Sequence, residues 1–465
     1  MAIEPADTFQ DTAQRFAAPL HRASAAARNF ADTAASKLTA THRAAAEVFL
    51  IRCASAGLLY LSQVAMARWI GASEYGIYVS VWTWVLILGG LCHLGFNVST
   101  IRLVPEYREK GLNGDLRGLL FGSRVFAIFG GTLVALVGIA GVWLLQDHIS
   151  NPFLMPAYLA LVCVPLYALT DVQDGISRGA GWLRVALIPP YILRPATVLA
   201  VMTILWLTGA PMHAAAAVTA AIAGTWLAGL VQLLALNRKV RASVPAAVPH
   251  YDYATWFKTS LPLIALAACD LVLQNADVLT IAAWLPAHEV AVYFAAGKTM
   301  SLILFINYAV GSATAGKFAA LKARGDDAAL ADYAKTSVHL TFWPSLAAAA
   351  VILATGPLLL SLFGPEFAHG YPVMIILVVG FLARASLGPA DYLLAMLGQE
   401  RTSAAVVLMT AAVAIILNLI LVPTLGIHGA AIATATASAT QALLMWIAVK
   451  WRLGIDLAIW NAFRR

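Results

Sequence analysis

Several ionisable side chains fall inside long apolar stretches of this chain, among them Arg52, Arg124, Arg194, Arg384, Lys298, Asp270 and Asp277. Such a group at the centre of a bilayer costs roughly 2.5 to 3.5 kcal/mol on insertion scales, so each needs a cavity or a partner. Arg194 and Arg384 lie near the midpoints of their stretches, Lys298 lies inside another, and Arg52 and Arg124 occupy the end thirds of theirs. Asp270 and Asp277 are seven apart, which sets them on nearly one face of a helix. A guanidinium offers a fork of donors that matches phosphate oxygens. The excess of cations at depth therefore predicts a water-filled cavity that attracts an anion, phosphate first, and repels a cationic drug. The competing reading pairs each arginine with an aspartate on a neighbouring helix, so that the charges hold the bundle together and bind nothing. Arg52 and Arg124 have a third option, because their stems can snorkel to lipid headgroups. The two aspartates suit a proton- or sodium-coupling step, since a carboxylate in low dielectric exchanges protons near neutral pH; alternatively they are counter-ions for Lys298 or Arg194. Asp174 and Arg178, four apart, read as a local ion pair.

No other chemistry is visible. Cys53, Cys92, Cys163 and Cys269 lie in apolar stretches without metal-ligand spacing and read as packing residues. There is no Walker loop, no zinc-protease helix and no nucleophile elbow. We expect no catalytic residue, no metal, no cofactor and no enzyme activity, and an ATP-driven pump only if another chain supplies the motor.

The elements that must position these charges are membrane helices. With 61% hydrophobic and 11% charged residues and a mean hydropathy of +0.80, the chain is no water-soluble globule. Runs long enough to span about 30 Å of hydrocarbon cover 48–69, 75–101, 119–145, 153–169, 185–207 and 214–236, then 256–285, 290–315, 339–363, 371–396, 404–422 and 429–449. Residues 213–225 and 428–440 match at six of thirteen positions under a shift of 215, and the same shift lays Trp69, Ala72, Glu74 and Tyr78 over Trp284, Ala287, Glu289 and Tyr293. Two windows sharing one offset argue for a duplicated half, a common way of building a transporter. The expected architecture is an all-α polytopic membrane protein of about twelve transmembrane helices in two repeated six-helix bundles. Its parts are an N-terminal extension (1–45), a first bundle (46–237), a linker (238–255), a second bundle (256–450) and a C-terminal tail (451–465).

One set of loops carries Arg108, Lys110, Arg117, Arg178, Arg184, Arg238, Lys239, Arg241, Lys322, Arg324 and Arg401, while the alternate loops lack lysine and arginine, Arg68 being the exception near that side. The basic side faces the cytoplasm by the positive-inside rule, so both termini are expected there. The net charge of +7 thus follows from topology and is no evidence for nucleic acid. No secretory signal is visible in the extension, which is expected to be a cytoplasmic segment; Phe16, Leu20 and Ala23 share a helical face, compatible with an amphipathic helix on the inner leaflet or a loosely ordered tail. Pro189, Pro190, Pro262, Pro344 and Pro389 interrupt spans, giving bending points or a shape required by packing. Trp82, Trp84, Trp343, Tyr191 and Tyr308 can stack on sugar rings or simply pack.

Three stretches carry a resemblance: 72–78 (ASEYGIY), 102–108 (RLVPEYR), taken as the loop after the second run, and 418–431 (NLILVPTLGIHGAA). In their order and the twelve-helix layout they resemble the Wzx-type polysaccharide flippases of the multidrug/oligosaccharidyl-lipid/polysaccharide (MOP) exporter superfamily, over residues 48 to about 450. The resemblance implies two bundles meeting in a V, with a chamber that opens alternately to cytoplasm and periplasm of a bacterial inner membrane. It also implies a substrate in which a polyprenol carries a short oligosaccharide through a diphosphate, destined for O-antigen, capsule or exopolysaccharide. Arginine and lysine would hold the diphosphate, and polar and aromatic groups the sugars. The superfamily's lipid II flippase has two extra helices, for which this chain has no room. The competing functions are a cation-coupled multidrug exporter of the same fold, which would want an acidic lumen, and a non-transporting scaffold that docks a polysaccharide polymerase or glycosyltransferase through the extension.

Overall fold

The computed structural model describes residues 40–459; residues 1–39 and 460–465 lie outside it, as do the side chains of residues 40–46 and of Pro262, Leu263, Ala265, Leu266 and Val272. The reading of the extension, and of Pro262 as a bending point, therefore falls outside the described residues. Ile51–Arg465 form one compact unit. Among the described residues every regular element is helical.

Among the described residues eight helices are long and apolar enough to cross a membrane, and nine with the bent pair Asn151–Leu161 and Val164–Gly179. Two of the nine are hairpins. The backbone of Gly71 leaves the helical region at φ 80°, ψ 165°, and Tyr75 OH donates to Gln63 Oε1 at 2.7 Å; twelve residues of straight helix would separate those positions by about 18 Å. Gly426 does the same at φ 61°, ψ −141°, bringing Gly429 against the backbone of Leu421. Both turns need a positive φ that only glycine adopts freely. With Tyr253–Trp284 the spans among the described residues number twelve. In chain order they are α1 (40–70), α2 (72–91 and Phe96–Glu109), α3 (Asn113–Leu144), α4 (the bent pair), α5 (183–207), α6 (Ala214–Ser243), α7 (Tyr253–Trp284), α8 (Ala287–Ser301 and Leu304–Arg324), α9 (Asp327–Ala354), α10 (Tyr371–Ala385 and Ala390–Met396), α11 (400–425) and α12 (427–453).

The offset of 215 holds in three dimensions: the α1/α2 turn at Gly71 matches the α7/α8 turn at Pro286, and the starts of α6 and α12 correspond. Two expectations change. Residues 102–108, read as a loop, are helical, because Phe96–Glu109 continues α2 after a break. The fourth run does not stop at Leu169; it bends by 44° and continues to Gly179. The polar character of 170–178 hid that continuation.

Local irregularities have local causes. Pro189 and Pro190 lack N–H groups, so the carbonyls one turn earlier lose their partners and the helix widens into a π-turn over Pro189–Leu193. Gln232 on α6 donates Nε2 to one of those carbonyls, Val185 O, at 3.2 Å. The linker is likewise held: helix persists to Ser243, only 244–252 lack regular structure, and Arg117 at the start of α3 donates to Pro245 O at 2.8 Å and Val244 O at 3.2 Å. His250 N donates to Gly114 O at 3.0 Å, and its ring meets Asp115 at 2.6 Å. Beyond the linker, the start of α7 leans on the first half: Trp256 Nε1 donates to Tyr107 OH at 3.2 Å, and Ser260 Oγ to Ser99 Oγ at 2.7 Å. At the C-terminus the chain turns at Gly454 and buries Ile455, Leu457 and Ala458. Trp446 Nε1 and Lys450 Nζ bind Asp456 at 2.8 and 3.4 Å.

Candidate functional site

Between the two halves lies a cavity of about 580 Å³. That size is within the range of small-molecule sites, roughly 300 to 1,000 Å³, and admits a headgroup but no polymer. On the side of the bundle away from the basic loops the two halves touch. A β-carbon on Gly76 of α2 would overlap the carbonyl oxygen of Ala287 on α8, so only glycine allows this approach of the halves. Tyr75 packs its ring against Phe294 and Phe367 with centroids 6.2 and 6.3 Å apart. Arg68, near this side, donates to Ser361 O in the other half at 3.1 Å.

The duplication shapes the cavity wall. Equivalent positions 215 apart face it from α2 and α8: Tyr78 and Tyr293, Trp82 and Gly297, Thr83 and Lys298. Every charge in the lining belongs to the second half, namely Asp270, Asp277, Lys298 and Arg384. Asp277 accepts from Tyr293 OH at 2.6 Å and from Thr434 Oγ1 at 3.4 Å, which ties α7 to α8 and α12. Asp270 is exposed to the cavity. Lys298 is exposed as well, lies 5.0 Å from the Phe294 ring centroid, and makes no ion pair among the described residues. Arg384 Nη2 is 3.0 Å from Asp391 Oδ2. The buried Asn418 Oδ1, also in the wall, has no partner among the described residues.

Residues 45–315, more than half of the chain, match the family model described as polysaccharide biosynthesis protein. The chain belongs to the polysaccharide biosynthesis protein family. No curated protein matches it. The family member shares its fold with an inward-facing multidrug resistance MATE family transporter of the MOP superfamily, at 14% identity and a TM-score of 0.72 over 87% of this chain and 98% of that one. The lipid II flippase MurJ in an inward closed conformation gives 14% and 0.68 over 86% and 87%. An outward-facing MATE transporter gives 15% and only 0.60 over 89% and 96%. At these identities the likeness is one of fold.

Within this family member, the residues picked from sequence separate into two groups. Lys298, Arg384, Asp270 and Asp277 are brought together in the cavity. Arg194, Arg52 and Arg124 are not in its wall. Arg194 lies 5.6 Å from the ring centroid of Tyr167, which does line the cavity. Arg52 stacks on Tyr191 at 4.0 Å and reaches Tyr308 at 5.6 Å. Arg124 donates to Leu120 O and, at 2.7 Å, to Asn237 Oδ1 on α6. The cationic excess counted along the sequence therefore stops short of the cavity, whose lining balances two cations with two carboxylates; three arginines spend their charge on rings, amides and carbonyls. Asp174 and Arg178 form the local pair expected of them, at 2.8 Å. Of the five aromatics singled out, Trp82 lines the cavity, whereas Tyr191 and Tyr308 hold Arg52. Tyr293, Thr434 and Asn418 were missed as site residues. The first two carried a signal, being repeat positions, but polarity alone did not mark them.

Proposed function

We propose that this chain is a Wzx-type flippase, moving a polyprenyl-diphosphate-linked oligosaccharide from the cytoplasmic to the periplasmic leaflet of a bacterial inner membrane by alternating access. The observation that carries the reading is the unpaired Lys298 ammonium in a headgroup-sized cavity of a polysaccharide biosynthesis family member. Lys298, assisted by Arg384, grips the diphosphate, and the polyprenol stays in the bilayer. Arg194, Arg52 and Arg124 flank the path rather than the resting cavity. The basic end is assigned to the cytoplasm, which makes the described state open inward. Asp277 and Asp270 are the coupling candidates, because a cation taken up beside Lys298 changes the local charge balance.

The test is mass spectrometry of lipid extracts from cells with and without the gene. Accumulation of a polyprenyl-diphosphate oligosaccharide together with loss of surface polysaccharide is expected. An unchanged lipid pool with altered sensitivity to cationic drugs would instead favour the multidrug exporter, for which the two carboxylates in the wall are the supporting observation. Deleting residues 1–40 tests the scaffold: loss of polymerase or glycosyltransferase co-purification with intact export would confine the extension to docking.

A further inference from the structure

The helix glycine at position 297 has no packing reason to be there. A glycine inside a helix is less stable than alanine by about 1 kcal/mol, and close approach of a neighbour usually accounts for it, as at Gly76. Gly297 is different: a β-carbon there would meet no atom within 4 Å, and the residue lines the cavity. Its repeat equivalent on α2 is Trp82, which lines the cavity too. Where one half projects the largest side chain, the other projects none. The Trp82 indole is also held in plane. Tyr78 stacks on it with centroids 6.1 Å and planes 17° apart, and Tyr75 stacks on Tyr78 at 6.2 Å and 24°. Tyr75 is anchored in turn through its hydroxyl to Gln63. A ladder of three rings ending at a cavity is a preorganised flat surface, which loses little side-chain entropy when a ligand settles on it. One residue further on, Thr83 of α2 is matched by Lys298 of α8.

We propose, resting on the flippase reading, that Trp82 and the space beside Gly297 form the carbohydrate subsite, with a pyranose ring of the substrate stacked on the indole and the diphosphate held alongside by Lys298. The amphipathic body of a sugar ring, C–H bonds on its faces and hydroxyls at its rim, fits an aromatic plane walled by amides. A bare polyprenyl diphosphate fits only the Lys298 side. Carbohydrate and phosphate are thus read by different residues, and Trp82 and Gly297 set the selectivity for glycosylated over unglycosylated lipid.

The experiment uses the full chain purified in detergent and native mass spectrometry against two probes: the polyprenyl-diphosphate oligosaccharide extracted from cells lacking the gene, and polyprenyl diphosphate without sugar. Wild type is expected to prefer the glycosylated lipid. Trp82→Ala and Gly297→Leu should each weaken that lipid about five- to tenfold, the loss of one stacked ring contact, and change the sugar-free lipid less than twofold; Trp82→Phe should recover most of the preference. Gly297→Leu enters open space, so it keeps the test decisive if Trp82→Ala misfolds. Equal losses for both lipids, no loss for either, or no preference in wild type would overturn the subsite while leaving the flippase reading in place. Binding of neither lipid by wild type would remove both.

Discussion

The two walls of the cavity descend from one ancestral segment and now differ in kind. On the first half the lining is aromatic, amide and hydroxyl; on the second it carries all four charges. Position by position under the shift of 215, Ser55 stands where the other half has Asp270, Ser62 where it has Asp277, Thr83 where it has Lys298 and Leu169 where it has Arg384. The serine and threonine hydroxyls are satisfied locally, Ser62 donating to Leu59 O at 2.7 Å and Thr83 to Val79 O at 2.8 Å. Asp277 instead draws on two other helices. Gathering both signs on one wall keeps the lining near neutral as a whole, which limits the desolvation cost that ions of one sign in the bilayer would carry. Duplication supplied the shape, and divergence at equivalent positions supplied the division of labour.

That contrast is open to direct attack. The largest effect is expected at the contact between the halves. Gly76→Ala places a methyl group into the Ala287 carbonyl, whereas the repeat equivalent of Gly76 is Ala291, already buried without difficulty. Export should be abolished and the thermal midpoint lowered by a destabilisation of about 3 kcal/mol; wild-type melting and export would show that the halves do not close there. Next comes the matched pair Lys298→Gln and Thr83→Val. The first should cut export at least about tenfold, as expected for removing a charge-assisted phosphate contact, and the second less than threefold; equal losses would mean that charge asymmetry is irrelevant. Then Asp277→Ala, which takes the short acceptor from the buried Tyr293 hydroxyl and leaves it only Thr434 Oγ1 at 3.2 Å, should cost about 1–3 kcal/mol, against a few tenths for Ser62→Ala, as read by melting in detergent. The smallest effect concerns the straps that end each half. Burial pushes the Asp456 carboxyl up, but hydrogen bonds from Trp446 and the Ala458 N–H, with Lys450 beside them, outweigh it and hold the group below the usual aspartate range. Its contribution is therefore complete above the ordinary aspartate pKa and fades as pH falls through the lowered value. Asp456→Asn should release the tail by about 1 kcal/mol at neutral pH, seen as faster proteolysis beyond Gly454, and proteolysis of the two forms should converge in acid.

The twelve spans and the repeat were legible because apolar length and a fixed offset are one-dimensional signals. So were Gly71 and Gly426, which punctuate the hairpins. What was not legible was rotation. Arg194, Arg52 and Arg124 look equivalent to Arg384 along the chain, yet each faces a ring, a carbonyl or an amide that belongs to a distant segment. Asp391, the partner of Arg384, lies beyond a break in α10 that no hydropathy count registers. The helical stretch 96–109 was hidden by its own polarity, because it continues α2 past the apolar run.

The strap over 244–252 is knotted by hydrogen bonds to the start of α3, and the first turns of α7 rest on the same half while its last turns hold Tyr293 and Thr434 of the other. The geometry therefore predicts that motion passes between the halves through α7, an axle seated in both, rather than through the strap. A chain cut at the exposed Val248, 86% accessible, should reassemble from two co-expressed fragments and still export, whereas a break in the middle of α7 should uncouple the machine.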